Sequence, residues 1–182
     1  MQSQSRRKAF AAISLALLCT APVVVALYLH QTFALSPLPL GQPMPPLFAT
    51  SLDGQAFVQD ATNGKKKLVV FFTPACSHCR RELKNLDELL PQYTDKLEIL
   101  GVSLDNLEIT RAAASDLGLK FPVVVADREH LDESFKMNIL PALFFFGQDQ
   151  KFEMFYSGEH SLAFDEHLLE GFTSSSSDQL IR

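Results

Sequence analysis

Apolar and polar residues alternate along this chain in blocks that predict strands and helices in turn. Leu68 to Phe72 is a continuous apolar run bounded by Asn63-Gly64 and Pro74, the pattern of a buried central strand. After it, Leu83, Leu86, Leu89 and Leu90 recur at helical spacing until Pro91 stops them. Leu97 to Ser103 predicts a second strand. Asn106 to Leu117 predicts a helix closed by Gly118. Val123 to Ala126 predicts a third strand and Leu131 to Met137 a short helix. Ala142 to Phe146 and Phe152 to Tyr156 predict an antiparallel pair, and Leu162 to Leu169 a last helix. Ahead of all these, Leu47 to Thr50 and Gln55 to Gln59 flank Asp53-Gly54, a hairpin signal. Strands alternating with helices imply an α/β fold, with a central mixed β-sheet flanked by helices.

The N-terminus has a different texture. Ala9 to Leu29 carries no charged side chain, and Arg6, Arg7 and Lys8 precede it. This length is about enough to cross a ~30 Å hydrocarbon core as a helix. The basic flank places residues 1–8 in the cytoplasm and everything after His30 outside. The favoured reading is a retained, single-pass anchor at 9–29. The rival is a signal peptide cleaved near Thr32-Phe33-Ala34. Either way the folded part is expected on the extracytoplasmic, periplasmic side. Residues 30–46 hold Pro37, Pro39, Pro43, Pro45 and Pro46, and read as an extended linker off the membrane. Residues 47–171 form the predicted domain. Residues 172–182 read as a Ser-rich tail.

Charge narrows the partners. Beyond the basic N-terminus, 13 Lys and Arg face all 21 Asp and Glu, a balance of −8. An acidic domain lacks the clustered cations that phosphates require, so no nucleic-acid partner is expected. The cluster Lys65 to Lys67 reads as a solvated turn guarding the strand after it. No Gly-rich phosphate loop appears, and no cofactor is expected.

The candidate chemistry is the pair Cys76 and Cys79. Two close cysteines in a chain of this size point to reactive thiols or a metal, not a secreted disulfide framework. Cys76 is expected at the first turn of a helix, where free N–H groups and the helix dipole favour a thiolate. Cys79 lies one turn on and can close a disulfide. Cys76 therefore reads as the attacking thiol and Cys79 as the resolving one. A protonated His78 would stabilise the Cys76 thiolate; the alternative is an exposed, inert side chain. Glu82 could exchange a proton with Cys79; the alternative is a surface carboxylate beside Arg80 and Arg81.

Five passages carry a resemblance to a known family. These are Pro46-Leu47-Phe48 with Leu52-Asp53-Gly54, Phe71 through Leu83, Gly101 through Asp105, Phe121-Pro122-Val123 through Asp127, and Leu140-Pro141-Ala142. They resemble the thioredoxin-like superfamily, most closely its membrane-anchored TlpA/ResA group, which overlaps the redoxin and AhpC/TSA-like domains. The resemblance implies a thioredoxin-like fold over about Gly41 to Gly171 and a thiol-disulfide oxidoreductase activity. It implies Cys76 as nucleophile, Cys79 as resolving thiol, Glu82 as the active-site glutamate and Pro141 as a cis-proline beside the disulfide. The implied partners are protein thiols or disulfides, with a membrane or periplasmic electron donor. Three departures stand out. Ala75 occupies the usual Trp position, Val70 stands where thioredoxins bury an acid, and Ser77-His78 is similar to the dipeptide of DsbA-like oxidases.

The resemblance favours a reductase of exported proteins, of the cytochrome c or copper-site maturation type. An oxidase or isomerase, a peroxidase read from Thr73-Pro74-Ala75-Cys76, and a copper chaperone remain as alternatives. For the last, His130, His160 and His167 are candidate third ligands, each also readable as a surface histidine.

Overall fold

The computed structural model describes residues 37–57, 64–127, 131 and 134–175. The apolar run 9–29, with its anchor or signal reading, and His130 lie outside the described residues. Among the described residues no helix is long and apolar enough to cross a membrane.

The elements are β1 (Ala49–Ser51), β2 (Ala56–Phe57), β3 (Lys66–Phe72), α1 (Ser77–Leu89), β4 (Leu97–Ser103), α2 (Leu107–Leu117), β5 (Val123–Ala126), β6 (Ala142–Phe146), β7 (Phe152–Ser157) and α3 (Leu162–Ser174). The strands form one seven-stranded sheet in the order β2-β1-β5-β4-β3-β6-β7. β3 pairs in parallel with β4 and antiparallel with β6, so the sheet is mixed, as the sequence pattern implies.

Every residue of β3 is buried, because the sheet is covered on both faces. Leu68, Val70 and Phe72 point to one face and meet Leu83 and Leu86 of α1, and Leu169 and Phe172 of α3. Val69 and Phe71 point to the other, by the two-residue period of a strand. That second face packs aromatic rings. Phe71, Phe135 and Phe144 lie 4.8–5.4 Å apart by centroid, and Phe155 joins Phe144 at 4.9 Å. Tilted and edge-on pairs of this kind add about 0.5–1.5 kcal/mol each beyond area burial.

Four expectations need correction. Part of the proline-rich stretch is not a free spacer. Leu38 is buried in the second-face core, and Gly41 and Met44 donate backbone hydrogen bonds to Phe152 and Gln150. Apolar side chains among the prolines give this segment something to bury, so the domain begins before residue 47. Lys66 and Lys67 are buried members of β3, not a solvated turn. The Lys66 ammonium donates to the Phe172 carbonyl at 2.8 Å and to Ser175 Oγ at 3.1 Å, lies 3.3 Å from Glu153, and sits over the Phe172 ring. These partners offset the cost of burying the charge. The last helix runs on to Ser174, because Phe172 adds one more buried turn. The short helix after Leu131 stops at Phe135, since Lys136 adopts a left-handed backbone (φ 50°) that ends it.

Candidate active site

The strand that precedes the cysteines fixes where they sit. β3 ends at Phe72, and Thr73-Pro74-Ala75 turns the chain into α1, with the Cys76 N–H donating to the Thr73 carbonyl at 3.1 Å. Cys76 is the N-cap of α1. Its Sγ accepts the backbone N–H of Cys79 at 3.1 Å. Both cysteines are free thiols; Cys76 is half-buried and Cys79 fully buried. Burial, and then the hydrogen bond with Cys76, push the Cys79 thiol up to about 12. Left alone, Cys79 therefore stays protonated at neutral pH. It needs a base to become a nucleophile.

Glu82 lies one turn beyond Cys79 on α1 and is fully buried, not a surface carboxylate. Its Oε2 accepts the His160 backbone N–H at 2.8 Å, and its Oε1 lies 3.3 Å from His160 Nδ1. Burial raises the Glu82 carboxyl to about 7, outweighing these bonds. It can thus hold or release a proton near neutral pH. Asp165, at the start of α3, is buried beside it and also raised by burial. Asn85 Nδ2 donates to Asp165 Oδ2 at 3.1 Å, while Oδ1 has no hydrogen-bond partner and faces His160 Nδ1 at 3.8 Å.

His78 is 65% exposed at the side chain, and its Nδ1 lies 2.6 Å from Glu159 Oε2. Arg81 donates to the same carboxylate at 2.6 Å. Together, Arg81 first, they hold Glu159 down to about 2. His78 is therefore held against the Glu159 carboxylate, 2.6 Å away. Arg80 pairs with Asp116 on α2.

The Leu140–Pro141 peptide bond is cis. Ala142 pairs with Phe71, so Pro141 stands at the end of β3 that leads to Cys76. The Pro141 carbonyl accepts the Gly158 N–H at 2.8 Å. Three consecutive residues, Gly158, Glu159 and His160, thus touch Pro141, the first turn of α1 and Glu82.

All five expected site residues, Cys76, His78, Cys79, Glu82 and Pro141, lie at this one end of the sheet. His160 was expected, if functional at all, as a copper ligand; it turns instead to Glu82. Nothing local links the two residues, which are 78 positions apart. The visible signal was only Gly158 and Ser161, which bracket the loop as a left-handed turn and the N-cap of α3. Among the described residues no His, Asp or Glu joins the two sulfurs as a third metal donor. In the cluster of Glu82, His160 and Asp165, the His160 backbone N–H donates to Glu82, while Asp165 Oδ1 faces the ring without a partner.

The fold and the paired thiols define a thioredoxin-like thiol-disulfide oxidoreductase. Residues 40–154 match the AhpC/TSA family, and the chain belongs to it. A relative, the thiol-disulfide oxidoreductase ResA of a Bacillus cereus strain, is 27% identical over 173 residues, covering 93% of this chain and 96% of its own. The thioredoxin-like protein YneN of Bacillus subtilis (strain 168) is 28% identical over 123 residues, 64% of this chain and 71% of its own. Among solved structures, the thioredoxin domain of a Bacteroides vulgatus thiol-disulfide oxidoreductase superposes with a TM-score of 0.66 at 22% identity, covering 75% of this chain and 99% of that one. A secreted Mycobacterium tuberculosis disulfide oxidoreductase gives 0.60 at 19% identity, covering 68% and 94%.

Proposed function

We propose that this protein reduces disulfides in exported proteins through Cys76 and Cys79, from the outer face of a membrane to which residues 9–29 anchor it. The observation that carries the chemistry is the asymmetry of the pair: a half-exposed Cys76 at a helix N-terminus, and a buried, high-pKa Cys79 behind it.

In this reading the Cys76 thiolate attacks a substrate disulfide. A mixed disulfide forms and one substrate thiolate leaves. Cys79 gives its proton to Glu82 and attacks Cys76 Sγ, closing the Cys76–Cys79 disulfide and releasing the second substrate thiolate. The substrate gains two electrons, and the pair loses them. A membrane or periplasmic dithiol donor returns them. Pro141 lies where a substrate strand would meet Cys76. The uncharged run behind Arg6, Arg7 and Lys8 supports the anchor and the extracytoplasmic location. The relatives named thiol-disulfide oxidoreductase ResA support exchange chemistry at the pair. The pairing of His78 with Glu159 speaks against the oxidase reading, because the carboxylate compensates the charge that would make the pair oxidising.

The test is the reduction potential of the pair in the purified full-length chain, equilibrated in defined thiol buffers. A value near thioredoxin's, about −270 mV, is expected. A value near about −120 mV would reverse the direction to an oxidase. Failure to form a reversible disulfide would overturn both.

A further inference from the structure

Glu82 has a proton to handle and no route of its own to water. Its side chain is 0% exposed, walled by α1, the loop 158–160 and α3. Glu82 can take the Cys79 proton only when it is itself unprotonated, and near neutral pH its raised carboxyl is partly acid, so it must exchange protons with solvent through a neighbour. The contact with a way out is His160. Its Nδ1 is 3.3 Å from Glu82 Oε1, and its side chain is 18% exposed. It lines a solvent-open groove with Ser77, Arg80, Arg81, Glu159 and Leu162.

We propose that His160 is the proton relay of this site, carrying protons between buried Glu82 and solvent, with Asp165 holding the imidazolium that forms. This rests on the reading of Glu82 as the base for Cys79. The steps balance as proton transfers. Cys79 S–H and the Glu82 carboxylate give the Cys79 thiolate and the Glu82 acid. The Glu82 acid and neutral His160 give the carboxylate and imidazolium. Imidazolium then releases the proton to water or buffer through the groove. Reduction of the pair runs the same path in reverse.

The surroundings of His160 suit this task. The backbone N–H of His160 donates to Glu82 Oε2 and fixes the approach of the ring. The ring stacks on Phe164 at 4.7 Å and meets the edge of Tyr156 at 5.9 Å, so its orientation is set by packing. Asp165 Oδ1 is buried, lacks a hydrogen-bond partner and faces Nδ1 at 3.8 Å. An unpartnered buried carboxylate oxygen is costly; a proton held between Asp165 and Glu82, or an imidazolium at His160, would satisfy it. The other charged or titratable groups around His160 are Glu82, Arg80, Arg81 and Lys84 from α1, Glu159 from its own loop and Tyr156 from β7. Arg81 and Glu159 are matched to each other, which leaves the ring's charge to Glu82 and Asp165.

The experiment uses the reduced full-length chain and Ellman's disulfide in stopped flow. Thionitrobenzoate leaves in two phases: first when Cys76 attacks, then when Cys79 resolves. Wild type is compared with E82Q, H160Q and H160N, and each fold is verified by circular dichroism. Both His160 variants keep the backbone N–H but cannot carry a proton; either suffices if the other fails to fold. His160→Gln is expected to slow the second phase relative to the first by about tenfold near neutral pH, with added imidazole buffer restoring it. An unchanged ratio, or a slowed phase that imidazole does not rescue, overturns the relay. If Glu82→Gln slows the second phase while His160→Gln does not, the relay alone is wrong. If Glu82→Gln is also without effect, the reading of Glu82 as base falls, and the relay with it.

Discussion

The sulfur of Cys76 accepts the backbone N–H of Cys79 at 3.1 Å, so Cys76 caps the helix that carries Cys79. Cys76 is half-buried, whereas Cys79 is shut away from solvent, and its thiol is pushed up to about 12. One turn of helix thus separates a sulfur suited to attack from one suited to wait.

That division of labour predicts different failures for the two cysteines. Cys76→Ser is expected to abolish disulfide reduction. Cys79→Ser is expected to retain the first attack and accumulate mixed disulfides with substrate proteins. Non-reducing gels of the tagged full-length chain would show these as higher bands that dithiothreitol removes. Equal trapping by both variants would remove the assignment of roles.

Glu82 makes a prediction about stability as well as rate. Its carboxyl is raised from 4.5 to about 7, with burial as the main cause. Below about pH 4.5 both folded and unfolded chains hold the proton, and no penalty exists. Between there and 7 the folded chain keeps a proton that the unfolded chain has lost, so stability falls as pH rises. Above 7 the penalty is fully present, on the order of 3 kcal/mol. Glu82→Gln is expected to flatten most of this slope in urea melts taken from pH 5 to 8. Asp165, raised in the same direction, leaves a residual slope. A slope unchanged by Glu82→Gln would place the titration elsewhere.

The sheet and its helices were legible because their signals are local. Apolar runs of four to seven residues, punctuated by Pro91, Gly118 and Asp53-Gly54, mark elements wherever tertiary packing agrees with them. The cysteine pair was legible for the same reason, since its chemistry follows from three residues of spacing. What escaped was long-range. Lys66 reads as a solvated lysine until α3 brings the Phe172 carbonyl and ring onto it, 106 positions away. His160 reads as a surface histidine until the loop between β7 and α3 folds over α1. Leu38 reads as linker until β7 offers its neighbours a backbone to lie on. In each case the deciding partner is brought by topology, which no short window contains.

Lys66 is the costliest of these to disturb. Its ammonium joins Glu153 of β7, the Phe172 carbonyl and Ser175 Oγ at the end of α3. Lys66→Ala leaves the nearly buried Glu153 carboxylate without this cation, while the Phe172 carbonyl keeps the Ser175 hydroxyl as a donor. Breaking a buried pair in this way costs about 3–5 kcal/mol. The midpoint of urea unfolding is expected to fall accordingly, with the spectroscopic signature of α3 lost first. Lys66→Met, which keeps the stem that packs on Phe172, is expected to cost less. A change below about 0.5 kcal/mol for Lys66→Ala would mark the site as surface-like.

Glu159 controls the charge that Cys76 feels. Arg81 senses the Cys76 sulfur electrostatically, yet both Arg81 and His78 are held by the Glu159 carboxylate. Glu159→Gln removes that compensation and leaves the guanidinium to face the thiolate alone. A more stable thiolate means a more stable reduced form, so the pair becomes more oxidising. Water screens charges this exposed, so the effect is small. The reduction potential is expected to rise by about 10–20 mV at low salt, and the difference to shrink at high salt as screening grows. Arg81→Gln is expected to move it the other way. If both variants lower the potential and salt has no effect, Glu159 and Arg81 act by holding the loop against α1, and their charge is incidental to the redox pair.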